Sequence, residues 1–101
     1  HKQHGAFAEF LSIPARILYR LPDSLPFEQA AMVEPVSIAV HAVQRAKITP
    51  GATAVVIGSG MIGLLVIQAL RWAGAQRIIA VDLADKEIRV VRAFIYHYTT
   101  I

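Results

Sequence analysis

The sequence predicts an α/β fold organised around a parallel β-sheet, and three observations support this prediction. First, an uncharged, mainly β-branched and apolar run at residues 52–57 shows no alternation of polar and apolar residues, which is typical of a strand covered on both faces. Second, a glycine-rich turn and an apolar helical stretch follow this run directly. Third, a similar run at residues 77–82 comes next and ends on an acid. Residues 52–82 therefore have the size and order of one βαβ unit.

Composition limits the class of protein. The 101 residues are enough for one small domain. The net charge of +3 comes from scattered Lys and Arg residues and not from a basic stripe, which argues against a nucleic-acid partner. Apolar residues make up 55% and charged residues 17% of the chain, against averages of about 45–50% and about 25%. This excess excludes disorder and predicts surfaces that another structure covers. The absence of cysteine excludes a disulfide framework and a thiolate metal site.

One alternative is a small membrane-spanning protein. Residues 48–70 carry no charge and are long enough to cross a bilayer. However, a TPG turn at residues 49–51 and a GSG turn at residues 58–60 interrupt the stretch, which favours a strand, a loop and a helix. We therefore expect no membrane partner. The first residues show no signal-peptide pattern, so a cytoplasmic location is the default prediction.

The first third of the chain contains extended segments and then helices. Residues 6–13 and 16–21 are two short extended runs on either side of Pro14, and residues 22–24 (PDS) form a turn.

Two prolines set the limits of the helices that follow. Pro26 suits the start of a short helix, which should end no later than Glu34 because Pro35 disfavours helical conformation in the residue before it. Pro35 itself suits the first position of a second helix that runs to about Lys47, with Pro50 and Gly51 following it. This second helix is amphipathic. Its apolar positions are Val36, Ala39, Val40, Ala42, Val43 and Ala46, and its polar ones are His41, Gln44 and Arg45.

The helix predicted for residues 61–73 is apolar nearly all round, which indicates burial. Trp72 is then most simply a core residue, and Gly74 is well placed to end the helix.

A glycine loop connects the first predicted strand to this helix. Residues 58–63 (GSGMIG) match the pattern G-x-G-x-x-G in the context that its mechanism requires, after a strand and at the start of a helix. Gly58 allows a sharp turn, Gly60 leaves room for a pyrophosphate, and Gly63 allows the helix to lie close to the strand. A buried helix that merely tolerates glycine is the alternative without a ligand.

Further residues complete a dinucleotide site. The free N–H groups at the helix start, near Met61 and Ile62, can donate to phosphate oxygens. Asp82 ends the second strand, where its carboxylate can accept hydrogen bonds from the ribose hydroxyls of an adenosine. A carboxylate at this place repels a 2′-phosphate, so the pattern predicts NAD rather than NADP.

The segments before the loop resemble successive signatures of one family. Residues 5–10 (GAFAEF), 21–25 (LPDSL) and 30–35 (AAMVEP) are similar to motifs of the zinc-dependent medium-chain alcohol and polyol dehydrogenases, in the branch of the sorbitol and threonine dehydrogenases. The resemblance covers roughly residues 5–86. It implies NAD-dependent oxidation of a small-molecule secondary alcohol or polyol, with a zinc ion that polarises the substrate hydroxyl.

The resemblance also implies site residues and a domain organisation. It places Ile62 near the nicotinamide, Lys86 near the adenosine ribose and Glu34 at the zinc, as a direct or water-mediated ligand. On the sequence alone, Glu34 is most simply an acid at the start of a helix, and it is the surrounding motif that favours the zinc role. Residues 1–23 correspond to the end of a β-rich, GroES-like catalytic domain and residues 24–48 to connecting helices. Residues 49–101 correspond to the first βαβ unit of a Rossmann-type NAD-binding domain, with an atypical, strand-prone tail at residues 88–101.

The chain departs from this family pattern in what it lacks. The other zinc ligands of the family, a Cys and a His-Glu pair, belong to sequence before the matched region. We therefore expect a fragment that does not turn over substrate alone. The alternative is a non-catalytic chain that binds an adenine nucleotide or docks on a full-length homologue. The oligomeric state stays open, with a homo-oligomer among the options.

Overall fold

A computed structural model of the chain describes residues 5–83, 91 and 97–100. It is an α/β structure with a small sheet of three parallel strands in the order β1-β2-β3. A 3-10 helix, Ala15–Ile17, precedes the other elements, which are α1 Phe27–Ala30, α2 Val33–Ala46, β1 Thr53–Ile57, α3 Met61–Trp72, β2 Arg77–Asp82 and β3 His97–Thr100.

The βαβ unit β1-α3-β2 is present as the sequence predicts. β2 has the predicted bounds, and β1 begins one residue later than predicted. The two strands pair from Thr53 opposite Arg77 to Ile57 opposite Val81. On its other side β2 pairs with β3, which lies in the tail whose β-branched and aromatic composition predicts a strand.

The prediction that β1 is covered on both faces is wrong for the described part of the chain. Successive side chains of a strand point to opposite faces. Val56 is buried against the core, whereas its neighbours Val55 and Ile57 are 58% and 85% exposed. One face of β1 is therefore packed inside this chain and the other is left uncovered.

The core lies between α2, α3 and the sheet. Helix α2 packs along α3 and contributes Ala39 and Val43 to it. Val36, predicted on the same face, is exposed. The remaining buried apolar side chains of the described residues come from α3, from β1 and β2 and from residue 91, and they are Val56, Ile67, Ala69, Leu70, Ile78, Ala80 and Val91.

Trp72 is not a core residue, in contrast to the prediction. Its side chain is 82% exposed at the last position of α3, although Ile67 and Leu70 of the same helix are buried. The helix is apolar nearly all round, but among the described residues only α2 and the sheet cover it, on one side.

Helix α2 begins earlier than the sequence predicts, and α1 is correspondingly short. Val33 is the first helical residue, so that Glu34 lies inside the first turn and Pro35 occupies the third position and not the first. The first N–H groups of a helix have no acceptor within the helix. A proline within the first turn therefore removes no helical hydrogen bond, which is why Pro35 does not set the boundary.

The two longer helices both end with a residue in the left-handed region. Lys47, with φ 50°, follows α2, and Gly74, with φ 89°, follows α3. The Gly74 N–H donates to the Arg71 carbonyl at 3.0 Å and the Ala75 N–H donates to the Leu70 carbonyl at 3.0 Å. These two bonds form a Schellman motif, which confirms Gly74 as the helix stop.

The extended runs at residues 6–13 and 16–21 do not form strands. Of the described residues, none pairs with either run, and Ala15–Ile17 forms a 3-10 turn after Pro14. Phe7 and Phe10 are exposed. A strand needs a neighbour to accept and donate its backbone hydrogen bonds, and the described chain offers these runs no such neighbour.

The uncharged stretch at residues 48–70 is divided among β1, the glycine loop and most of α3. In the described ranges, no helix combines the length and the apolar character that crossing a membrane requires.

Candidate nucleotide-binding site

The glycine loop begins with a sharp turn directly after β1. Gly58 has a φ of +90°, a conformation that favours glycine because it has no side chain. Its N–H donates to the Val81 carbonyl at 2.8 Å, so the turn starts while the chain is still paired to β2. This confirms the turning role predicted for Gly58.

Gly63 is the point at which α3 passes closest to the end of β1. A Cβ atom at Gly63 would lie 2.9 Å from the carbonyl carbon of Gly58 and closer still to its oxygen, and both of these are backbone atoms. Helix and strand can approach this closely only because residue 63 has no side chain. The packing role predicted for this glycine is thus confirmed.

Gly60 caps α3 and borders open space. A Cβ atom at Gly60 would meet nothing within 4 Å. Helix α3 starts at the next residue, and Met61 and Ile62 are exposed at its first two positions. The N–H groups of the first helical turn lack helical acceptors and carry the positive end of the helix dipole. The backbone N–H donors at the start of α3 and the open space beside Gly60 therefore lie at the same place.

The carboxylate of Asp82 lies against this loop. Its Oδ2 atom accepts a hydrogen bond from the Ser59 N–H at 2.5 Å. Asp82 is half-buried and Ser59 is fully buried. The predicted loop and the predicted acid are therefore joined directly, through a residue that the motif leaves unspecified. Sequence reasoning missed Ser59, whose only signal was its place between two glycines.

An open groove of about 820 Å³ lies beside the loop. It is bordered by α2, by β1 and by α3, and the side chains that line it are all apolar. All five loop residues predicted to bind the cofactor line it: Gly58, Gly60, Met61, Ile62 and Gly63.

Known proteins share both the sequence and the fold of this chain. The (R,R)-butanediol dehydrogenase of Bacillus subtilis is 49% identical over 82 residues, which are 81% of this chain and 24% of that protein. The sorbitol dehydrogenase of Bacillus subtilis is 39% identical over 88 residues, which are 87% of this chain and 25% of that protein. The chain spans about a quarter of the length of the curated relatives it matches.

Solved structures agree with the sequence relatives. The crystal structure of galactitol-1-phosphate dehydrogenase from Escherichia coli matches with a TM-score of 0.82 and 30% identity over 95% of this chain and 28% of that one. The structure of 2R,3R-butanediol dehydrogenase from Bacillus subtilis matches with a TM-score of 0.74 and 41% identity over 81% of this chain and 24% of that one. No family model matches the chain.

This chain belongs to the zinc-dependent medium-chain alcohol and polyol dehydrogenase family. The family explains why the loop, the acid at the end of β2 and the segments before α2 occur in one chain. Members of this family hold a zinc ion, so residues of this chain could be among its ligands.

Glu34 is the one residue that the family resemblance assigns to the zinc. It is exposed in the first turn of α2, where its backbone carbonyl accepts a hydrogen bond from the Ser37 hydroxyl at 2.6 Å. Among the described residues, no three His, Cys, Asp or Glu side chains come together in a way that could hold a metal ion. These residues do not fit a complete zinc site of this dehydrogenase family, and Glu34 is at most one of several ligands.

Lys86, predicted near the ribose, lies outside the described residues, as does most of the tail at residues 88–101. The assignment of Lys86 stays a prediction.

Proposed function

We propose that residues 53–82 are the adenosine- and pyrophosphate-binding part of an NAD-dependent oxidoreductase that acts on a secondary alcohol or a polyol. The observation that carries this proposal is the loop itself. Its glycines lie in the turn and in the close helix contact that the motif requires, and the predicted acid touches the loop. The names of the relatives, butanediol dehydrogenase and sorbitol dehydrogenase, support the substrate class.

The chain's own residues have distinct tasks in this proposal. The N–H groups at the start of α3 bind the pyrophosphate, and Gly60 leaves the room for it. Asp82 accepts hydrogen bonds from the adenosine ribose and disfavours a 2′-phosphate at the same place. Ile62 borders the nicotinamide side of the groove. When bound, NAD supplies the hydride acceptor.

The zinc ion belongs to the whole enzyme in this proposal. It would supply Lewis acidity toward a substrate hydroxyl, and Glu34 would be one of its ligands, direct or through water. The described part of the chain holds no complete metal site, so we expect this chain to bind nucleotide without oxidising alcohol.

Titration of the 101-residue chain with NAD and NADP tests the proposal. We expect NAD to bind about ten-fold or more tightly than NADP, because the Asp82 carboxylate repels a second negative group. Asp82→Ala should reduce this ratio toward one. Asp23→Ala makes the same change of charge in an exposed turn and should leave the ratio unchanged. Equal affinity for both nucleotides in the unmodified chain would contradict the proposal.

A second candidate function is docking on a full-length homologue without catalysis. The uncovered face of β1, with Val55 and Ile57 exposed, favours it. Mixing the chain with a full-length butanediol dehydrogenase and measuring mass by sedimentation separates the two candidates. A stable complex that forms equally well with and without NAD would favour docking.

A further inference from the structure

We propose that Asp82 is a positioning residue for the glycine loop, in addition to any contact with a ribose. Its carboxylate accepts the Ser59 N–H and thereby holds the loop in its binding conformation before a nucleotide arrives. The inference deepens the proposed function and rests on the loop being the pyrophosphate site.

The loop needs such a restraint because of its composition. Ser59 stands between two glycines, and glycine has more conformational freedom than any other residue. Gly58 and Gly60 have no side chains whose packing could fix the backbone. The shape of the loop therefore depends on backbone hydrogen bonds.

The end of β2 supplies two of these bonds in succession. The Gly58 N–H donates to the Val81 carbonyl at 2.8 Å, and the next N–H, that of Ser59, donates to the Asp82 carboxylate at 2.5 Å. The first bond extends the pairing of β1 with β2 beyond Ile57, where the paired register ends. The second continues it by one more residue, with a side chain in place of a carbonyl. A hydrogen bond to a charged acceptor is stronger than one between neutral groups.

The side chain of Ser59 gives independent support. It is fully buried, and its Oγ atom has no hydrogen-bond partner among the described residues. An unpartnered buried hydroxyl costs free energy, so the hydroxyl is not what keeps Ser59 in place. The hydrogen bond from the Ser59 N–H to the Asp82 carboxylate does keep Ser59 in place.

This role and a role limited to the ribose predict opposite results for an anion that has no ribose. If Asp82 only contacted the ribose, its removal would leave the binding of inorganic pyrophosphate unchanged or, with one negative charge fewer, make it tighter. If Asp82 holds the loop, its removal weakens pyrophosphate binding, because the backbone N–H donors are then no longer held in the binding conformation.

The experiment uses the full chain and compares Asp82→Ala, Asp82→Asn, Ser59→Ala and the control Asp23→Ala with the unmodified protein. Hydrogen exchange of the Ser59 amide, followed by NMR without ligand, reports the bond directly. We expect exchange to be about ten-fold faster in Asp82→Ala, intermediate in Asp82→Asn, whose amide oxygen still accepts, and unchanged in Ser59→Ala, which keeps the N–H. Protection of the Leu70 amide in α3 should not change, which separates a local loss from global unfolding.

Pyrophosphate titration is the second measurement. We expect binding about ten-fold weaker in Asp82→Ala and unchanged in Asp23→Ala, which removes the same charge from an exposed turn. Equal protection of the residue 59 amide with and without the carboxylate overturns the positioning role, and so does pyrophosphate binding that is unchanged or tighter in Asp82→Ala. A chain that binds neither pyrophosphate nor NAD, but loses protection in Asp82→Ala, overturns the proposed function and supports the positioning role.

Discussion

Gly63 shows how a single missing side chain determines the geometry of the loop. The atoms that a Cβ would meet belong to the Gly58 backbone, which is itself held by β2 and cannot move aside cheaply. Of the glycines in the loop, Gly63 is therefore the one whose replacement is blocked by packing. Gly60 borders open space and has an ordinary φ of −67°.

We expect Gly63→Ala to lower the free energy of unfolding by about 1–3 kcal/mol, because the helix must shift away from the strand. Gly60→Ala is the matched control and should stay within about 0.5 kcal/mol of the unmodified chain. Urea denaturation followed by circular dichroism measures both. A stable Gly63→Ala would mean that α3 does not pass as close to the loop as the structure has it.

Ser59 leads to a second prediction at the scale of one residue. Ser59→Ala removes a buried hydroxyl that has no partner among the described residues, and it keeps the backbone N–H. The variant should therefore be as stable as the unmodified chain or more stable by about 1 kcal/mol. Thermal unfolding tests this, and a loss of stability of the same size would show that the hydroxyl has a partner after all.

The limits of sequence-based prediction are visible at these two residues. The glycine motif predicted the turn at Gly58 and the close contact at Gly63, because both follow from the absence of a side chain. It could not predict the bond between Asp82 and Ser59, since the second position of the motif accepts many residues and the bond uses only its backbone.

At the scale of secondary-structure elements, the end of α3 depends on Gly74. This glycine has a φ of +89°, and a Cβ there would lie 3.4 Å from the Cα of Pro50. Its carbonyl also accepts the Gly51 N–H at 2.9 Å, which ties the end of α3 to the turn before β1. One residue thus stops a helix and fixes the entry to a strand.

Gly74→Ala should cost about 1–2 kcal/mol, since an L residue is strained in the left-handed region. Lys47→Gly is the reciprocal control, because Lys47 already occupies that region after α2. Relief of its strain and the greater flexibility of glycine oppose each other, so we expect a change of about 0.5 kcal/mol or less. Chemical denaturation of both variants provides the comparison, and equal losses would contradict the difference between the two caps.

Elements with strong local signals were predicted well, and those that depend on neighbours were not. β2 and α3 follow from their composition and from Gly74. The start of α2 was predicted too late, because Pro35 is tolerated anywhere in a first helical turn. The extended runs at residues 6–13 and 16–21 have the composition of strands, but pairing is a property of two segments, and no segment of the described chain pairs with either run.

For the whole molecule, the main feature is that β1 is packed on one face and exposed on the other. Ile57 and Ile67 are the same residue type, but Ile57 on β1 is 85% exposed and Ile67 in α3 is completely buried. The excess of apolar residues in the composition is thus divided between a packed core and an open face. The apolar composition predicted that some apolar surface would remain for another structure to cover, but it could not predict which residues form that surface.

This contrast makes a matched pair of variants informative. Ile67→Val should lower the free energy of unfolding by about 0.5–1.5 kcal/mol, because it leaves a small cavity. Ile57→Val should change it by less than about 0.5 kcal/mol. Calorimetry on the two variants provides the measurement. A large effect at Ile57 would indicate that another molecule, such as a second copy of the chain, covers this face in solution.

The two bonds from the end of β2 to the loop have a consequence for the binding equilibrium. Because Gly58 and Ser59 donate to adjacent residues of β2, the loop keeps its shape only while β2 is docked beside β1. Thermodynamic linkage requires the converse: a ligand that binds only the formed loop also stabilises the docking of β2, by about 2.7 kcal/mol at a concentration of 100 times its Kd. Amides inside β2, such as that of Ile79, should then exchange more slowly in saturating NAD. Strand docking and nucleotide capture would be one coupled reaction.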